Sequence, residues 1–179
     1  MTATVSTKGE KNVATPEFIL KLREKIGHDL LWLIGITAYV EDDVGRLLLG
    51  RRSDTGEWAL VYGINEPGEE PADTVIREVK EETGVDVVPV ALAGVKAGRQ
   101  MTVYANGDQT QYLDLLFMCR LAEGGCGAPF VGDDESLEVG WFAPDELPEP
   151  LAASTEARVE RVRAWREAGA SAAIFCFGE

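Results

Sequence analysis

Glu69, Glu78, Glu81 and Glu82 crowd around a single Arg77 in the stretch GINEPGEEPADTVIREVKEETGV, residues 63–85. Glu78, Glu81 and Glu82 are spaced i, i+3 and i+4, so on a helix their carboxylates share one face and repel one another. Gly84 is a natural left-handed terminator, which puts these glutamates in the last turn, where the helix dipole disfavours each anion by about 0.3–1 kcal/mol. A bound cation removes both penalties. An all-oxygen donor set suits a hard divalent ion, Mg2+ or Mn2+, and not zinc or copper. Gly63 and Gly68 allow the backbone turns that bring the preceding loop against the acidic face.

The elements that must position these groups follow from periodicity. Ala72, Val75, Ile76 and Val79 form the apolar stripe of a helix over 72–83, which anchors its acidic face beside a core. A short helix over 15–26 is expected to be capped by Thr15 and opened by Pro16. The apolar run 30–40 reads as a strand, turned at 42–45 into a second strand over 46–51 as a hairpin. Further strands are expected at 58–62, 85–95 and 101–104, with a break near Ala97 and Gly98. Asn106-Gly107 is a hairpin turn leading to a strand at 112–121. A loop at 124–132, a short strand at 137–142 and a helix at 153–168, with Val159, Val162 and Trp165 on one side, complete the order. Strands before and after a central helix, with another helix at the end, indicate the α/β class, layered α/β/α around a mixed sheet.

The spacing G-x5-E-x7-R-E-(apolar)-x-E-E-x-G-(apolar) is met at every fixed position and resembles the signature of the Nudix hydrolases. The resemblance implies a Nudix-type α/β/α sandwich around a mixed β-sheet. It also implies a Mg2+-dependent (or Mn2+-dependent) hydrolase that cleaves a phosphoanhydride in a nucleoside diphosphate linked to another group, in a nucleoside triphosphate or a nucleotide sugar. On the family pattern Glu78 and Glu82 resemble metal ligands, Glu81 a ligand or water-activating carboxylate, and Arg77 the residue that orients the glutamates with Glu69. Gly63 would offer its carbonyl to the metal. Many family members carry a further acidic residue that completes the metal site or acts as base; among Asp133, Asp134, Glu135 and Glu138, Glu135 is the candidate. The chain departs from the family in one place, with Val61-Tyr62-Gly63 where Pro-Gly-Gly is common, so either the loop runs differently, with Tyr62 packed inward, or Tyr62 brings a phenol to the mouth of the site, where it could stack on a base or ribose.

Outside the signature the signals are thinner. Arg52, beside Arg51 at a strand end, is a candidate phosphate contact, with pairing to Asp54 or Glu57 as the alternative. Lys96 and Arg99 are candidates of the same kind, and Trp58 and Tyr104 are candidates for stacking or for the core. Two other readings of the resemblance stay open: a catalytically silent nucleotide-sensing module, whose mark would be a damaged glutamate set, and an isoprenoid diphosphate isomerase-like enzyme, for which Cys119 is the only support.

The 179 residues, 45% hydrophobic, suffice for one domain with a sizeable core, expected over 15–179 behind a disordered tail at 1–14. A net charge of −14 argues against a nucleic-acid polymer or an anionic membrane as partner. A small phosphorylated nucleotide remains compatible, because divalent ions reverse the sign locally. Cys119, Cys126 and Cys176 lack metal spacing and read as reduced thiols of a cytoplasmic protein. His28, the sole histidine, supports no histidine-based mechanism, and a homodimer, common in the family, is left open.

Overall fold

The structure is a computed structural model that describes residues 4–5 and 15–175. Its elements are β1 (Thr4–Val5), α1 (Glu17–Ile26), β2 (Leu31–Glu41), β3 (Leu47–Arg52), β4 (Trp58–Ala59), β5 (Val61–Ile64), α2 (Pro71–Thr83), β6 (Val87–Ala97), β7 (Thr102–Val103), β8 (Gln109–Leu121), β9 (Ser136–Phe142), α3 (Ala153–Glu167) and β10 (Ile174–Phe175). The strands form one mixed sheet with β8 at its centre, parallel to β2 and antiparallel to β6 and β7. Among the described residues, no helix is long and apolar enough to cross a membrane.

Alternation along β2 sorts the chain into layers. Ile36, Ala38 and Val40 pack on one face with Val75 and Val79 of α2, while Tyr39 packs on the other with Val159, Val162 and Trp165 of α3. α1 buries Ile19 against Leu31 and Leu33 at the start of the same strand. The helix at 72–83 is α2, and it ends at Gly84, which adopts φ +70°.

Several details differ from the sequence reading. The N-cap of α1 is Pro16 and no side chain caps it, so Thr15 does not perform that role. Proline fixes φ near the extended value that a cap residue needs, and the cap moves to it. The hairpin at 30–51 is paired only at Glu41↔Leu47, because β2 takes β5 and β8 as partners and β3 takes β4 and β9. The strand at 58–62 is broken at Leu60. Trp58–Ala59 pair with β3, whereas Val61–Ile64 cross to β2. The Leu60 N–H, left without a ladder partner by this crossing, donates to the buried Thr155 hydroxyl of α3 at 3.1 Å. The tail at 1–14 lies outside the described residues apart from Thr4–Val5, which pair in parallel with Thr102–Val103.

Candidate active site

The acidic face of α2 is organised by Arg77. Its Nε and Nη2 donate to the two carboxylate oxygens of Glu69 at 2.9 and 3.1 Å, and its Nη1 donates to Glu78 Oε1 at 2.9 Å and Glu81 Oε2 at 3.1 Å. The two-pronged Arg77 contact, helped by the Thr74 hydroxyl at 2.7 Å, holds the Glu69 carboxyl down at about 2. Asn65 Nδ2 donates to Thr74 Oγ1 at 2.7 Å and to the Glu69 carbonyl at 3.0 Å, fixing the loop between β5 and α2. Neither Asn65 nor Thr74 was singled out in the sequence, although a polar Thr74 beside Val75 at the foot of an apolar stripe was the available signal.

Gly63 is where the loop and the helix meet. A Cβ there would lie 2.0 Å from Glu78 Oε1, so only a bare backbone lets the Glu78 carboxylate rest against this strand. Burial, with Glu81 and Glu135 nearby, pushes the Glu78 carboxyl up to about 7 despite Arg77. Glu82 is pushed well above the usual carboxylate range, first by burial and then by Glu135, Glu78 and Asp133, with Arg52 opposing. Glu81 is the outermost, with 56% of its side chain exposed.

The loop after β8 brings the last acids in. The N–H groups of Phe130 and Gly132 donate to the carbonyls of Thr83 and Glu82 at 2.9 and 3.0 Å, capping the end of α2 from outside the helix. The Phe130 ring lies where a Cβ on Gly84 would be, 2.0 Å away, and a Cβ on Gly132 would lie 1.9 Å from the Glu81 carbonyl oxygen. Ser53, next to Arg52, ties down the far end of this loop: its N–H donates to the Glu135 carbonyl and its hydroxyl to the Asp134 carbonyl, at 2.8 and 2.9 Å. Glu135 and Asp133 thereby face Glu82 closely enough to raise its pKa.

The donor chemistry fits a hard cation: half-buried carboxylates that repel one another, one against a bare backbone. In the present arrangement no three described acidic, histidine or cysteine side chains stand close enough to enclose an ion, since Glu78 and Glu81 lean on Arg77.

On the opposite face of β5 lies Tyr62. The Arg52 guanidinium sits 4.9 Å from its ring centroid and that of Arg158 5.6 Å. Arg52 is also gripped by Asp54, at 2.8 Å through Nε and 2.5 Å through Nη2. Burial, then the charges of Asp54 and Glu82, push the Tyr62 phenol up to about 12 against the pull of both arginines. The remaining candidates are placed elsewhere. Trp58 is core, edge-on to Phe142; Tyr104 shares a 2.9 Å hydrogen bond with the Tyr112 hydroxyl; Arg99 is exposed; His28 pairs with Asp108. Cys119 is fully buried and burial pushes its thiol up to about 12, so it is no nucleophile; Cys126 is free and exposed, and Cys176 lies outside the described residues.

A NUDIX domain profile matches residues 32–162, a span that holds the acidic helix, its arginine, the capping loop and most of α3. The chain belongs to the Nudix family. Its relatives in this family include a "MutT-like protein" of Streptomyces ambofaciens, 35% identical over 119 residues that make up 66% of this chain and 69% of the relative. The "8-oxo-dGDP phosphatase NUDT18" of Mus musculus is 30% identical over 138 residues, 77% of this chain and 39% of that protein's length. Among solved structures, a MutT Nudix hydrolase from Burkholderia pseudomallei superposes with a TM-score of 0.61 at 29% identity, over 74% of this chain and 98% of that one. The mixed sheet flanked by helices is the Nudix α/β/α sandwich, and the chain is a Nudix hydrolase by family.

Proposed function

We propose that this Nudix chain hydrolyses a phosphoanhydride bond in a nucleoside diphosphate linked to another group, a nucleoside triphosphate or a nucleotide sugar, with Mg2+ or Mn2+ as cofactor. The observation that carries the reading is the Glu78 carboxylate against the bare backbone of Gly63, with Glu82, Glu135 and Asp133 close enough to oppose its ionisation or one another's. Glu78, Glu82 and the Gly63 carbonyl would hold the metal, with Glu81 as a further ligand. When bound, the ion supplies positive charge to the pyrophosphate and acidifies water.

The chain's own residues do the rest. Glu69 holds Arg77 by a two-pronged contact, and Arg77 in turn restrains Glu78 and Glu81 through one nitrogen. A carboxylate, Glu81 or Glu135, takes the proton of a water as its oxygen attacks phosphorus, and the bridging oxygen leaves with the electrons of the broken P–O bond. The glutamate set is whole, which supports an enzyme over a silent sensing module.

The test is a panel of nucleoside triphosphates and nucleotide sugars with Mg2+, reading phosphate against pyrophosphate or nucleotide release. Turnover of at least one class, abolished by excess chelator, is the expected result. Full activity in chelator would end the metal-dependent reading.

A further inference from the structure

Under α3 the chain places a second charged cluster, with the opposite sign to the first. Asp114 of β8 accepts from Arg158 Nε and Nη2, both at 3.2 Å, and from the Thr37 hydroxyl at 2.8 Å. Arg161 Nη1 stands 3.7 Å from the same carboxylate, beyond hydrogen-bond reach, and is buried with no hydrogen-bond partner among the described residues. Lys96 lies directly across from Asp114 in the β6–β8 register, is exposed, and has no ion-pair partner among the described residues. Two arginines thus share one carboxylate with a lysine at the facing register position, in a chain whose net charge is −14.

This cluster is built. Gly94 is buried and leaves the space that the Arg161 chain crosses, since a Cβ there would lie 2.7 Å from Arg161 Cδ. Pairing that served only to dock α3 on the sheet would satisfy the donors it buries, and Arg161 Nη1 is left over. The cluster is also continuous with the acidic site. Tyr62 and Gly63 are neighbours on β5 and face opposite sides, and among the described residues β5 pairs only with β2, which leaves its other edge without a ladder partner there. Arg52 stands at that edge, over the Tyr62 ring on one side and near enough to Glu82 on the other to favour its charge.

We propose that Arg158, Arg161 and Lys96, with Arg52 at the crossing, bind a further phosphate of the substrate, beyond the anhydride held at α2, and so select nucleoside triphosphates over nucleotide sugars. The inference rests on the hydrolase reading for its substrate, and on the cluster alone for its site. Asp114 acts as a positioning residue: it holds Arg158 by two nitrogens and leaves one terminal nitrogen of that guanidinium for a phosphate oxygen.

The probe is inorganic tripolyphosphate, titrated calorimetrically into the full chain in excess chelator, where neither metal nor turnover enters. Wild type should bind it. Arg158→Gln and Lys96→Gln should each weaken binding, Arg158→Gln by about tenfold or more, and Arg158→Lys should recover part of the loss. Lys96 is exposed, so Lys96→Gln reads the site even if Arg158→Gln unfolds. In turnover, Arg158→Gln should raise KM for a nucleoside triphosphate at least about tenfold more than for a nucleotide sugar. Equal effects on both substrates, or tripolyphosphate binding indifferent to Lys96→Gln and to a folded Arg158→Gln, would overturn the proposal. Failure of every nucleotide to turn over would instead sink the hydrolase reading, and leave tripolyphosphate binding as the measure of this one.

Discussion

Replacing Glu78 by glutamine should stabilise the metal-free protein at pH 8, an unusual outcome for a half-buried residue that makes an ion pair. Burial, together with Glu81 and Glu135, pushes the Glu78 carboxyl from an ordinary 4.5 up to about 7. A carboxyl raised in this way is protonated in both folded and unfolded chains below pH 4.5. Its folded form is penalised as pH rises from 4.5 to about 7. That gap corresponds to about 3 kcal/mol of stability lost by pH 8. Glutamine never ionises and avoids the loss, and the Arg77 bond is already inside that figure, because the carboxyl reaches about 7 against the pull of Arg77. The gain is about 3 kcal/mol, or about 6–12 °C in Tm for a domain of this size. Thermal unfolding followed by circular dichroism in excess chelator, at pH 8, 6.5 and 4.5, checks it. The variant should melt higher at pH 8, and level with or below wild type at pH 4.5. A variant that melts lower at pH 8, or by an offset independent of pH, refutes the reasoning.

Glu81→Gln keeps the shape of an exposed side chain and removes its charge, so kcat should fall by about two to four orders of magnitude with an unchanged melting curve; wild-type turnover would move the base to Glu135. Gly84→Ala places a Cβ at φ +70° and 2.0 Å from the Phe130 ring, so the variant should lose at least about 1 kcal/mol in urea unfolding through the left-handed backbone alone. It should also lose activity beyond the drop in stability, because the loop carrying Asp133 and Glu135 is pushed off the helix end; full activity in the folded variant would detach those acids from catalysis.

The parts of the molecule legible in the sequence are those governed by local rules. Val75, Val79 and Gly84 define α2 through periodicity and a left-handed stop, and Asn106-Gly107 defines the turn between β7 and β8. Strand partners are set by distant residues, so the hairpin expected at 30–51 gave way to pairing of β2 with β5 and β8. The glutamates around Arg77 announced themselves by spacing, and the profile match places the whole span in the Nudix family. The cap made by Phe130 and Gly132 did not, because it uses main-chain groups that any residue carries. Arg158 and Arg161 read as ordinary solvated positions of a charged helix; an isolated Asp114 within the apolar run of β8 was the sign that something cationic must cover it.

The change of partner at Leu60 divides the sheet into two leaves. One leaf is β3, β4 and β9; the other contains β2, β5, β6 and β8; between them the ladders share the single register Glu41↔Leu47. Elsewhere the leaves meet through side chains such as Leu48 and Val61, whose attraction has no preferred direction. A small shear of one leaf on the other would therefore disturb that one register and no other ladder, and would change the 4.9 Å spacing of Arg52 and Tyr62, which stand on opposite leaves. The strand change itself is held from outside both leaves, by the Thr155 hydroxyl that accepts from the Leu60 N–H, so the seating of α3 fixes the point at which one leaf passes into the other.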